Sequence, residues 1–229
     1  MLQRESERKR TVISGIIFDA DGTLLNSMPI WDDLGARYLK GLGIEAKPGL
    51  SEILFCMSLE ESAAYMKKTY SLPQTVEEIR RGVQARLDDF YVNEVQPKPG
   101  AGEYLCALHS RKLPMMIATS SSRYHIEEAM KRLGFMDYFV GIVTSEEVGA
   151  GKNRPDIYLK CAEVMGLHPS RVCVFEDVIH AVRTANAAGF PTAGVYDAAS
   201  AEDTADMKTE CSIWLHDLTD YGEFSRWAF

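Results

Sequence analysis

Apolar positions along the chain fall into two regimes. The first run, Val12–Phe18, is short, rich in Val and Ile, and ends at Asp19-Ala-Asp-Gly-Thr23. A short apolar run closed by a glycine turn predicts a buried strand feeding a loop. From Met28 to Tyr91 the spacing becomes helical. Trp31, Leu34, Tyr38, Leu39 and Leu42 share one face; so do Leu59, Ala63 and Met66, and then Val76, Ile79, Val83, Leu87 and Phe90. Gly41, Gly43, Pro48-Gly49 and Leu72-Pro73 separate these helices, and no strand is predicted among them.

Beyond Pro97-Lys98-Pro99-Gly100 the pattern alternates. Helices are predicted over Ala101–Ser110, Arg123–Leu133, Asp156–Met165 and Ile179–Ala188. They lead to strands over Met115–Thr119, Val140–Thr144, Val172–Glu176 and Thr192–Val195, with a last short strand at Ile213–Leu215. Strands alternating with helices, and apolar on both faces, predict a doubly wound parallel sheet of the α/β class. The helical insertion leaves after the first strand, with junctions near Asn26-Ser27 and Gln96–Gly100. Ligands of such sheets bind beyond the carboxyl ends of the strands, so an insertion rooted there sits over the site as a lid.

Composition narrows the picture. A chain of 229 residues, 46% hydrophobic and 25% charged, suits one core with a small appendage. No run of about 18 apolar residues is present, so no membrane span or membrane partner is expected. The charged start, MLQRESERKR, reads as a solvated tail and not a secretion signal. A net charge of −8 argues against nucleic acid as the main partner. A small anionic substrate remains compatible, provided a local cation receives it. The five scattered cysteines form no CxxC pair and read as buried, reduced thiols of a cytoplasmic protein. The histidines form no HxH or HExxH pair, which argues against zinc.

Candidate chemistry gathers where predicted strands end. Asp19 and Asp21 follow the first, Thr119 and Ser120 the second, and Glu176-Asp177 the fourth; Lys152 lies in the loop after the third. In a parallel sheet these ends converge on one rim. Asp19 and Asp21, two apart at a strand end, are expected to point the same way. Carboxylates crowded on a rim repel unless a cation sits among them, and hard oxygen ligands suit Mg²⁺ better than zinc. A metal, a lysine, a hydroxyl and a carboxylate nucleophile form a set for handling a phosphoryl group. Taken singly, each residue has a bland role: a strand-end Asp as a cap, Glu-Asp as a helix start, Lys152 as a solvated loop lysine.

Four segments resemble the motifs of the haloacid dehalogenase superfamily. Phe18-Asp-Ala-Asp-Gly-Thr-Leu-Leu-Asn-Ser27 is similar to the first, Ile117-Ala-Thr-Ser-Ser121 to the second, and Gly151-Lys-Asn-Arg-Pro-Asp-Ile-Tyr158 to the third. Val174-Phe-Glu-Asp177 is similar to the fourth. The resemblance implies a Rossmann-like core over residues 1–27 and 97–229, with an all-helical cap over 28–96. It also implies a phosphatase acting on a small phosphomonoester. Asp19 would be the nucleophile, forming an aspartyl-phosphate, and Asp21 the general acid and then base. Thr119 and Lys152 would hold the phosphoryl group, helped by Gly22 and the backbone N–H groups of Ala20, Asp21 and Ser120. Mg²⁺ would be held by Asp19, the carbonyl of Asp21, Asp177 and Glu176.

The chain departs from the family pattern at Val178, where Ser is frequent, and at Ala181, where Gly is frequent. Two other readings stand beside the phosphatase: a phosphosugar mutase of the same fold, and a phosphoryl-accepting regulatory or binding protein. The segment aligned with a mutase's cap arginine, Cys56-Met-Ser-Leu-Glu60, contains none. A receiver-type module has no long helical insertion and no second Asp placed for hydrolysis. Cap residues expected to touch substrate include Trp31, Met57 and Ser58, with cap core as the competing role. Arg123 is read either as a substrate contact or as a helix-surface residue.

Overall fold

The computed structural model describes residues 12–229; the reading of MLQRESERKR lies outside the described residues. Strand β1 (Gly15–Phe18) is followed by four helices, α1 (Ile30–Gly41), α2 (Leu50–Phe55), α3 (Leu59–Tyr70) and α4 (Val76–Asp89). Capping boxes start two of them, Ser58 with Glu61 for α3 and Thr75 with Glu78 for α4. Helix α4 runs directly into a π-helical turn, Phe90–Glu94.

The alternating half follows: α5 (Ala101–Ser110), β2 (Met115–Thr119), α6 (Arg123–Arg132), β3 (Gly141–Thr144), α7 (Ser145–Val148), α8 (Asp156–Met165), β4 (Val172–Glu176), α9 (Ile179–Ala187) and β5 (Thr192–Val195). Then come α10 (Thr204–Glu210), β6 (Ile213–Leu215) and α11 (Tyr221–Ala228).

Among the described residues the six strands form one sheet in the order β3-β2-β1-β4-β5-β6, every pairing parallel. The register places Phe18 opposite both Ile117 and Phe175. The ends of β1, β2 and β4 are therefore nearly level, which brings Asp19, Thr119 and Glu176 onto one rim.

Alternation along β1 divides the core. Ile16 and Phe18 face a cluster with Tyr104, Leu105, Ile126, Phe175 and Phe224, while Ile17 faces Ile157, Tyr158, Cys161 and Val174. The first cluster continues through Leu24, Leu25, Tyr91 and Val95 into the inserted helices. The chain enters and leaves this insertion side by side. Asn26 N–H donates to the Gln96 carbonyl at 2.9 Å, and Lys98 N–H to the Leu24 carbonyl at 2.8 Å.

The structure corrects several expectations. Strand β1 starts at Gly15, not Val12, whose side chain is exposed. Gly15 lies so close to Leu167 and Met165 that a side chain there would crowd them. Helices α2, α7, α10 and α11 have no counterpart in the predicted pattern; all four are eight residues or fewer, too short to show a full amphipathic repeat. Cys56 and Cys106 are exposed, so the reading of buried thiols holds only for Cys161 and Cys173, with Cys211 half-buried; all five are free.

Candidate active site

The rim of the sheet carries a buried ionic cluster. Lys152, from the loop between α7 and α8, donates to Asp19 Oδ1 and, at 2.8 Å, to Glu176 Oε1. Tyr158 of α8 donates to the same Glu176 oxygen at 2.7 Å. Asp19, Lys152, Glu176 and Asp177 are all buried. Burial works against the Lys152 ammonium, but Asp19 and Glu176 outweigh it and hold the group above lysine's usual value. Burial pushes the Asp19 carboxyl up to about 8; Lys152 opposes this, while Glu176 and Asp21 add to it. The Asp177 carboxyl is also raised, by burial and then by the charges of Asp19 and Glu176.

Asp19, Glu176 and Asp177 each offer a ligand oxygen within 4.8 Å of the others. Asp19 Oδ2 and Glu176 Oε2 are buried with no hydrogen-bond partner among the described residues. When ionised, three carboxylates against one ammonium leave two negative charges uncompensated. A hard divalent cation satisfies both the orphaned oxygens and the charge, so the donor set fits Mg²⁺. Gly22 has φ of 84°, and a Cβ there would overlap the Asp177 carboxylate. Thr23 Oγ1 approaches Asp177 Oδ1 at 3.5 Å, and Ser200 donates to the Asp177 carbonyl at 2.8 Å.

Asp21 does not share the ionic cluster. Although it is two residues from Asp19, its carboxylate meets Ser27, Tyr91 and Ser121 instead. Thr119 is fully buried, and its hydroxyl oxygen accepts from Ser121 N–H at 3.0 Å, leaving its own proton to donate. Ala20 is buried, and its carbonyl accepts from the N–H groups of Leu24 and Leu25. The Gly22 N–H donates to the Leu25 carbonyl within the turn. The Ser120 hydroxyl is exposed and lies 3.1 Å from that of Ser145. Val178 stands at the N-cap of α9 without a side-chain cap, and Ala181 is buried.

The four expected substrate contacts separate. Trp31 is half exposed and lines a cleft of about 760 Å³ with Asn26, Met28, Phe55, Lys98 and Asp197. Met57 lines an apolar cavity among the inserted helices, beside Leu34, Met66 and Val83, which Trp31 and Phe55 also line from the cleft side. The Ser58 hydroxyl is the N-cap acceptor of α3. Arg123 binds Glu147, Glu127 and the Ile142 carbonyl, which fastens α6 to β3 and α7. The Ser58-x-x-Glu61 and Arg123/Glu127 spacings already carry these structural roles. Ser27, Ser121 and Tyr158 close three of the motif segments without a role of their own in the sequence reading, and Tyr91 lies outside every motif. A hydroxyl inside a motif does not reveal its partner, and Tyr91 lies far along the chain from Asp21.

A carboxylate and an ammonium locked together beside an acidic pocket, with a hydroxyl donor on the neighbouring strand, meet the needs of a transferring phosphoryl group. Fold and site together define a hydrolase of phosphate monoesters under an inserted helical cap. Residues 16–195 match the haloacid dehalogenase-like hydrolase family, and the chain belongs to it. A phosphorylated carbohydrates phosphatase of Thermotoga maritima is 25% identical over 177 residues, 77% of this chain and 82% of that protein. Fructose-1-phosphate phosphatase YqaB of Escherichia coli is 28% identical over 195 residues, 80% of this chain and 96% of that one. In fold, the chain resembles a Thermotoga maritima protein provisionally called a beta-phosphoglucomutase. The TM-score is 0.83 at 22% identity, covering 95% of this chain and all of that one. No helix among the described residues is long and apolar enough to cross a membrane.

Proposed function

We propose that this protein is a Mg²⁺-dependent phosphatase that hydrolyses a small phosphomonoester through an aspartyl-phosphate on Asp19. The observation that carries the reading is the orphaned, buried Oδ2 of Asp19, whose other oxygen is held by Lys152. That arrangement leaves one carboxylate oxygen for the cation and keeps the other, beside the fixed Lys152 ammonium, for attack on phosphorus. Mg²⁺ would be held by Asp19, Glu176 and Asp177, with Asp21 contributing its carbonyl, and would neutralise charge on the phosphoryl oxygens.

The chain's own residues then divide the work. An Asp19 oxygen forms a bond to phosphorus as the bond to the leaving oxygen breaks, and Asp21 gives that oxygen a proton. In the second step water forms a bond to phosphorus and passes its proton to Asp21, while the bond between phosphorus and the Asp19 oxygen breaks, releasing inorganic phosphate and the Asp19 carboxylate. Lys152 offsets the accumulating negative charge, and the Thr119 hydroxyl donates to a phosphoryl oxygen. Gly22 keeps the loop clear of Asp177, so that the N–H groups of Ala20, Asp21 and Ser120 can turn toward phosphate.

Residues 28–96 form the cap domain in this reading, and residues 1–27 with 97–229 the core. The cleft lined by Trp31, Met28, Lys98 and Asp197 receives the organic part of the substrate. Its mixed lining, and the sugar phosphates named for the two relatives, support a small sugar or polyol phosphate. Five free thiols favour a reducing, cytoplasmic setting. The experiment is phosphate release from a panel of phosphomonoesters with Mg²⁺ and with EDTA, beside Asp19→Asn. Release that needs both Mg²⁺ and Asp19 is the expected result. Turnover retained by Asp19→Asn would overturn the mechanism, and isomerised sugar phosphate without phosphate release would move the assignment to a mutase.

A further inference from the structure

Three hydroxyls from three separate parts of the chain converge on Asp21. Ser27 and Tyr91 donate to Oδ1 at 2.6 and 2.7 Å, and Ser121 donates to Oδ2 at 2.6 Å. Ser27 belongs to the segment entering the inserted helices, Tyr91 to the segment leaving them, and Ser121 to the loop after β2. Both oxygens of the carboxylate are thereby fixed in direction.

Tyr91 is itself held in one orientation. It sits in the π-helical turn that ends α4, and such turns re-aim side chains relative to a continuing α-helix. Its ring is buried and lies flat on His125, with centroids 4.6 Å apart and planes 5° from parallel. Phe90 packs edge-on against it at 5.4 Å. His125 is in turn fixed by Asp88, 2.7 Å from its Nε2. A buried tyrosine needs one acceptor for its hydroxyl, and any nearby carbonyl would serve. Three hydroxyls directed at one carboxyl group exceed that need.

We infer that Tyr91 is a positioning residue for Asp21: with Ser27 and Ser121, its hydroxyl sets the direction from which Asp21 delivers a proton to the leaving oxygen. The inference rests on the phosphatase reading above. As the phosphorus–oxygen bond breaks, the electron pair goes to the leaving oxygen and the proton comes from Asp21; Tyr91 keeps its own proton.

The test is Tyr91→Phe, which keeps the ring on His125 and removes only the hydroxyl. Two substrates are compared, the best alkyl phosphate of the panel and p-nitrophenyl phosphate, whose leaving phenolate needs no proton. Expected is a fall in kcat/KM, which reports the step that expels the leaving group, of about tenfold to a hundredfold on the alkyl ester, with kcat/KM on p-nitrophenyl phosphate changed by no more than about twofold. Ser121→Ala should repeat this selectivity, and it decides the matter if Tyr91→Phe does not fold. Equal losses on the two substrates, or no loss on either, would overturn the inference. Asp19→Asn separates the two levels. If it is dead on both esters, the phosphatase reading stands whatever Tyr91→Phe does; if it is active, that reading fails first.

Discussion

His125 of α6 and Asp88 of α4 meet at 2.7 Å, and the Tyr91 ring lies on the same imidazole. The sheet domain is thus fastened to the last inserted helix beside the point where the chain returns. His125→Ala removes a stacked ring and a charge-assisted hydrogen bond together. We expect a loss of about 1–3 kcal/mol, read as a lowered Tm in a thermal melt. An unchanged Tm would show the junction to be held elsewhere.

The Asp88 side of this pair gives a pH dependence. Partial burial acts to raise its carboxyl, but hydrogen bonds from Gln84 and His125 prevail and hold it below the usual range. A depressed carboxyl contributes stability above its unfolded value, near 3.9, and loses it as pH falls through the folded value. The Tm difference between wild type and Asp88→Asn should therefore be present at about pH 5 and shrink as pH drops below about 4. A difference that persists undiminished in stronger acid contradicts the assignment.

Mg²⁺ should stabilise the folded protein. Saturation a hundredfold above Kd contributes about 2.7 kcal/mol, or a rise in Tm of roughly 5–10 °C for a chain of this size. EDTA should reverse the shift, and Asp177→Asn should abolish it. The same rise in Asp177→Asn would place the ion elsewhere.

Gly22→Ala tests the close approach to Asp177. The substitution combines a left-handed φ of 84° with overlap on a carboxylate. Expected are a stability loss of about 1–3 kcal/mol and disappearance of the Mg²⁺-dependent rise in Tm. A variant that keeps the full Mg²⁺ response would show that the loop can shift to make room.

What could be read in the sequence, and what could not, divides by distance along the chain. The strands Met115–Thr119, Val172–Glu176 and Thr192–Val195 coincide with their predicted bounds because runs buried on both faces carry a strong apolar signal, and the half-buried edge strand Ile213–Leu215 coincides as well. Asp19, Lys152, Glu176 and Asp177 meet because parallel strands end together, which topology alone implies. Asp21 defied the period-two expectation. Past Phe18 the chain is no longer a strand but a turn closed by Gly22, and pleat alternation does not carry into it. Strand order and the partners Tyr91 and Tyr158 depend on long-range packing that no local pattern encodes.

The two crossings between sheet and inserted helices lie a hydrogen bond apart, Asn26 against Gln96 and Lys98 against Leu24. To the sheet, the whole helical segment is topologically a hairpin loop, because its ends already meet. The strands that hold Asp19 and Glu176 pair with each other and not with this segment, so its far end can vary in length without entering their register. What is admitted to the cleft and what breaks the phosphate ester can therefore evolve separately, with Tyr91 as the graft point where the two must still agree.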